Sequence, residues 1–120
     1  MELISFNNII RGFNTGTSMC CVCPNQEIAD HLFKRAKDLW YIEGFSEISN
    51  LGRTLRYGPV ADRLVVRFRP VSALGYGSYK GFRGMYLFHP GFDLMDMSDN
   101  DFHLHSELSL HNERYREQWR

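Results

Sequence analysis

Between Gly75 and Gly84 the chain reads Gly-Tyr-Gly-Ser-Tyr-Lys-Gly-Phe-Arg-Gly, so four glycines alternate with three aromatic rings and two cations. Tyr76, Tyr79 and Phe82 can stack on planar groups while Lys80 and Arg83 reach phosphates or carboxylates, and the same residue types make protein-binding hot spots. Upstream, Arg53, Arg56, Arg63, Arg67 and Arg69 add five cations, and those at alternate positions of a strand share one face. Arg67 and Arg69 are therefore expected to flank the glycine-rich loop. Asp93, Asp96, Asp99 and Asp101 follow soon after, which polarises the surface in a way that suits recognition of a charged partner.

The remaining chemistry-bearing groups are thiols and imidazoles. Cys21 and Cys23 with His103 and His105 offer zinc-type ligands, but C-x-C is not the usual C-x₂₋₄-C spacing. On a helix, residues 103 and 105 would also point about 200° apart. His103, Glu107 and His111 align at four-residue spacing, without forming the H-E-x-x-H zinc signature. Buried inert cysteines and solvated histidines are the expectation, with no metal or other cofactor and no catalytic residue.

A second glycine-bearing stretch, Arg11-Gly12-Phe13-Asn14-Thr15-Gly16-Thr17-Ser18, resembles a degenerate phosphate loop of the form G-x-x-x-x-G-K-[ST]. Gly16 and Ser18 stand at the second glycine and the hydroxyl, whereas Arg11 replaces the first glycine and Thr17 replaces the lysine that contacts the β- and γ-phosphates. A working loop opens a helix whose dipole faces the phosphates, yet Ser18 leads into a strand-like run closed by Pro24. The run Cys20-Cys21-Val22-Cys23-Pro24-Asn25-Gln26-Glu27 and the helix after it are similar to the second strand and helix of phage terminase-like P-loop ATPases. Gly81-Phe82-Arg83-Gly84-Met85-Tyr86-Leu87-Phe88 resembles the approach to that family's Walker B strand, with His89 where its acidic residue lies. Over residues 11–93 the resemblance implies a trimmed RecA-like core without nucleotide hydrolysis.

The elements that must position these groups follow from periodicity. Leu3, Phe6, Ile10 and Phe13 recur at helical spacing, and Leu3-Ile4-Ser5-Phe6 serves equally as a strand. Met19 to Cys23 is a continuous apolar run, the pattern of a strand buried on both faces. Asn25 caps a helix from Gln26 to about Tyr41, with Ile28, Leu32, Ala36 and Leu39 along one stripe and Gly44 ending it. Arg53–Tyr57 and Leu64–Phe68 read as strands, the second closed by Pro70, and Val66-Arg67-Phe68-Arg69 alternates as if one face were wet. Met85–Phe88 reads as a central strand. Residues 102–119 fit either period, but Asp99 and Asp101 at the start, Arg114, Arg116 and Arg120 at the end and the lack of β-branched residues select a helix.

At 120 residues one domain is expected, an α/β sheet of four to five strands with two to three helices. Fourteen basic against fourteen acidic residues leave no net field toward nucleic acid or membrane, and zero net charge favours self-association, so a homodimer is one expectation. No secretory signal is apparent, no window of about eighteen apolar residues offers a membrane span, and three closely spaced cysteines suit a reducing cytoplasm. These observations point to a non-catalytic interaction module, a phage-type accessory protein that binds and inhibits a host or viral protein machine. Binding of a nucleotide or nucleic acid without hydrolysis is the alternative.

Overall fold

The computed structural model describes residues 3–40, 45–49, 53–57, 64–74, 82–94 and 97–119. It is an α/β fold with three α-helices and a five-stranded mixed sheet. In chain order the elements are α1 (Phe6–Asn14), β1 (Met19–Cys23), α2 (Gln26–Trp40), β2 (Phe45–Ser49), β3 (Thr54–Tyr57), β4 (Leu64–Pro70), β5 (Met85–Phe88) and α3 (Asp99–Trp119). Two 3-10 turns, Val71–Leu74 and Pro90–Leu94, follow β4 and β5.

The strand order is β2-β3-β4-β1-β5. β1 runs parallel to both neighbours, while β3 runs antiparallel to both β2 and β4. Every residue of β1 is buried, which explains why its sequence is apolar at each position and does not alternate. Its two faces feed two cores. Met19, Cys21 and Cys23 pack with Val66 and Phe68 of β4 and Leu55 of β3 beneath Ile9 and Phe13 of α1 and Ala29, Phe33 and Ala36 of α2. Cys20 and Val22 face the other way, with Tyr86, Phe88, Val71, Phe92 and Leu108.

The helices begin as their side chains dictate. Ser5, Asn25 and Ser98 each place a side-chain oxygen on a backbone N–H of the first turn, at Asn8, Ile28 and Asp101 respectively. The N-terminal segment thus resolves as a helix, although Leu3 still makes one parallel bridge to Phe88. The C-terminal segment is likewise the helix its charge pattern favours.

One expectation is corrected. Met85–Phe88 is not central but lies at the edge of the sheet, next to β1. Its uniform hydrophobicity arises because other elements close its outer side. Asn112 of α3 accepts a hydrogen bond from Tyr86 N (2.7 Å) and donates one to Tyr86 O (2.7 Å), as a neighbouring strand would. Ile4 N donates to Phe88 O (2.9 Å), and His111 Nε2 lies 3.1 Å from Gly84 O. The carboxamide of Asn112 is buried and satisfies both polar groups of a buried residue. Replacing Asn112 by Ala should therefore cost about 3 kcal/mol in denaturant unfolding, because a buried donor and acceptor are both stranded. Asn112→Asp, which loses the donor and buries a charge, should cost at least as much.

Candidate functional site

Because β4 alternates, Val66 and Phe68 enter the core under α2 while Arg67 and Arg69 project from the opposite face. Sheet register sets Arg67 beside Cys20, Cys20 beside Tyr86, and Thr54 on the other flank of Arg67. On this side α3 packs against β5 and the Val71–Leu74 turn. Beside it lies an open cleft of about 210 Å³, lined by Cys20, Arg67, Arg69, Ala73, Leu74, Phe82 and Tyr86.

Three residues expected to form a contact surface, Arg67, Arg69 and Phe82, thus share one cavity. Arg83 is exposed beside Phe82. Tyr76, Tyr79 and Lys80 lie outside the described residues, in the chain between Leu74 and Phe82, both of which line the cleft. Gly84 is where a glycine is required, because a Cβ there would run into the backbone carbonyl of Ser18. The upstream arginines divide. Arg56 alternates with buried Leu55 and so shares the face of Arg67, whereas Arg53 pairs with Asp30 of α2. Its hydrogen bond, with a second from Gln26, holds the Asp30 carboxyl below its usual range. Arg63 lies outside the described residues.

The electrostatics of the cleft come from burial. Burial pushes the Cys20 thiol up to about 12 against the pull of Arg69 and Arg67, so at neutral pH its floor is an uncharged S–H. Burial also lowers Arg69, Cys20 opposes that fall, and the charges of Arg67 and Arg53 add to it. Phe82 and Tyr86 form a tilted pair with centroids 5.0 Å apart, backed by His111 against Tyr86 at 5.0 Å. Among the described residues the lining carries two guanidinium groups and two aromatic rings, with no carboxylate and no imidazole.

The stretch resembling a phosphate loop is a helix C-terminus. Arg11, Gly12 and Asn14 belong to α1. Gly16, at φ +71°, takes the left-handed position after the cap, where Gly16 N donates to Phe13 O (3.1 Å) and Thr17 N to Gly12 O (2.8 Å). The amides that would cradle a phosphate are spent on α1, and the nearby helix end carries the negative pole of its dipole. Ser18 is engaged as well: Val65 N donates to its Oγ (3.1 Å) and Met85 N to its carbonyl (3.0 Å). His89 follows β5, its Nδ1 accepting from Gly91 N (3.0 Å), and burial lowers its pKa.

The candidate zinc ligands do not meet. Cys21 and Cys23 face α1 and α2, while the His105 ring lies tilted against Phe88 (4.5 Å) and edge-on to Phe92 (5.0 Å) on the opposite side of the sheet. Among the described residues no three His, Cys, Asp or Glu side chains are grouped to hold an ion. His103 is exposed 4.0 Å from Glu107, and His111 is tucked against Tyr86. The stripe on α3 therefore does not converge. The sequence reading missed Cys20, Ala73, Leu74 and Tyr86; only the register of β1 reveals which of its thiols faces the arginines.

Comparison with protein-family models, curated proteins and solved structures finds no match. No helix among the described residues is long and apolar enough to cross a membrane.

All three thiols are buried, with Cys20 and Cys23 pushed up to about 12 and Cys21 also raised by burial. In the native protein they should resist an alkylating reagent at pH 8, and all three should react in denaturant, as counted by mass spectrometry. The unfolded thiols ionise near their ordinary 9.0 and so release protons that the folded ones retain. Their contribution is therefore intact below about pH 9, and folding stability should fall as pH rises from there toward 12.

Proposed function

We propose that this chain is a non-catalytic interaction module whose contact surface is the arginine and aromatic cleft on the α3 side of β4. The observation that carries the reading is the composition of that cleft. Arg67, Arg69 and Phe82 supply anchoring groups, while Cys20, the one thiol among the described lining residues, is held protonated by burial. Among the described lining residues no carboxylate, imidazole or lysine stands ready to act as a general base. Tyr76, Tyr79, Lys80 and Arg83 extend the proposed surface along the glycine-rich segment.

The partner we favour is a protein with an acidic patch, and the resemblance to phage terminase-like sequences suggests an accessory protein that binds and blocks a host or viral protein machine. The arginine face also suits nucleic acid, which is the second reading. Salt separates the two, since neutralising several phosphates makes affinity fall steeply with ionic strength whereas an aromatic-anchored protein interface responds weakly.

The test is affinity capture from cells that naturally express the chain, comparing the unaltered protein with Arg67→Glu and Arg83→Glu. Both positions are exposed, so each variant should keep its stability to within about 0.5 kcal/mol. Both should lose the partner, and the partner should survive nuclease treatment and 200 mM salt. Undiminished capture by both variants would refute the assignment of the surface, and loss on nuclease treatment would favour the nucleic-acid reading.

A further inference from the structure

The two arginines of the cleft are not equivalent. Arg69 is engaged within the fold: its Nη1 donates to the carbonyl of Phe68 (3.0 Å), and it makes a further interaction. Arg67 is exposed and makes no hydrogen bond or ion pair to another described residue. Its guanidinium is therefore the group that can receive an anion, while Arg69 adds positive charge beside it. A guanidinium fork matches the two coplanar oxygens of a carboxylate, and one such pair balances one charge.

Beyond Arg67 the lining turns apolar. Ala73 and Leu74 come from the turn after β4, and Phe82 and Tyr86 supply rings with centroids 5.0 Å apart. Cys20 contributes an uncharged thiol, which does not repel an anion. Size decides how much of a partner enters. A cavity of about 150 Å³ holds benzene, so the cleft, at about 210 Å³, admits one apolar side chain with one small polar group. The carboxylate and the apolar group must then be close neighbours. In the last residue of a polypeptide both are borne on one carbon. An internal aspartate or glutamate instead carries its carboxylate on a side chain of its own, with backbone between it and any apolar neighbour.

We infer that the cleft between β4, the Val71–Leu74 turn and Phe82 receives the C-terminal residue of a partner polypeptide, with Arg67 pairing the terminal carboxylate and Leu74 and Phe82 flanking an apolar last side chain. The inference rests on the reading of this cleft as the contact surface and says which acidic group of the partner enters it. The open side of the cleft is where the rest of the partner chain departs.

The experiment is a titration of the full chain, followed by amide chemical shifts, with the peptide acetyl-Ala-Ala-Phe as its free acid. Its controls are the C-terminal amide of the same peptide, acetyl-Ala-Ala-Gly as the free acid, and acetyl-Asp-Ala-Phe amide, whose carboxylate is internal. The first peptide should saturate a site whose shifts centre on Cys20, Arg67, Leu74 and Phe82. It should bind about tenfold tighter than each control, the order expected when hydrogen bonds to a charged group or the burial of a side chain are lost. Arg67→Ala should weaken the free acid about tenfold and leave the amide unchanged. Arg67→Lys should not restore the affinity, since an ammonium lacks the fork. Ala73→Glu, which sets a like charge on the wall of the cleft, should weaken the free acid by a similar factor. Lys34→Ala, at an exposed cation on α2 away from the cleft, should leave binding unchanged. Arg67 and Ala73 are exposed, so circular-dichroism melts should show their variants folded.

Equal affinity for any of the three controls, shifts centred elsewhere, or equal loss in Lys34→Ala would overturn the inference. Its failure is distinct from failure of the contact surface. Should Arg67→Glu lose the captured partner while the free-acid peptide does not bind, the surface stands and the terminus site falls. Should the peptide bind as described while Arg67→Glu retains the partner, the site stands and the surface falls.

Discussion

Burial of β1 on both faces governs the rest of the molecule. Five consecutive apolar residues with no side chain in water demand cover from two directions, and the chain supplies it with α1 and α2 on one side and α3 with the two 3-10 turns on the other. The two covers are unequal in extent. On the α1 and α2 side the core reaches through β4 to Leu55 of β3, whereas on the α3 side it extends over β1 and β5 and stops short of β4. There β4 carries Arg67 and Arg69, which project from the face that α3 leaves open. The cleft is thus a consequence of three helices covering five strands, with arginine placed where cover ends.

Closure of the β5 edge holds the opposite wall of that cleft in place. Asn112 binds both backbone polar groups of Tyr86, and His111 meets Gly84 O while its ring packs against Tyr86. One turn of α3 therefore fixes the strand, the approach to it at Gly84, and the ring pair Phe82 and Tyr86. An edge strand left with open N–H and C=O groups would be a template for unwanted pairing, and a buried carboxamide removes that hazard without another strand. The arrangement links a stability device to the geometry of the proposed contact surface.

Local chemistry was well expressed in the sequence. The Asn25 cap and apolar stripe of α2, the uninterrupted run of β1, the alternation of β4 and the charge gradient of α3 each depend on residues a few positions apart, and each element is present. Phe45–Ser49 went unrecognised as a strand because its two apolar residues, Phe45 and Ile48, lie three apart and do not alternate, with a register shift between Phe45 and Glu47. The edge position of β5 was misread because an apolar run signals burial without saying what does the burying, and here the cover comes from Asn112 and Ile4, each far away in sequence. The same non-locality hid Cys20 and Tyr86 from the site. The glycine pattern of Arg11 to Ser18 resembles a phosphate loop only in its residues: they cap the end of a helix and lead into a strand, and the feature that separates such a cap from a phosphate cradle is the direction of the helix beside it.

Hydrogen–deuterium exchange of the chain, alone and with its captured partner, is the most direct test of where it makes contact. The account predicts slowed exchange in β4 and at residues 82–86, with the outer face of α2 at Glu27, Lys34 and Arg35 unchanged. Protection confined to that α2 face, with β4 exchanging as it does alone, would contradict it.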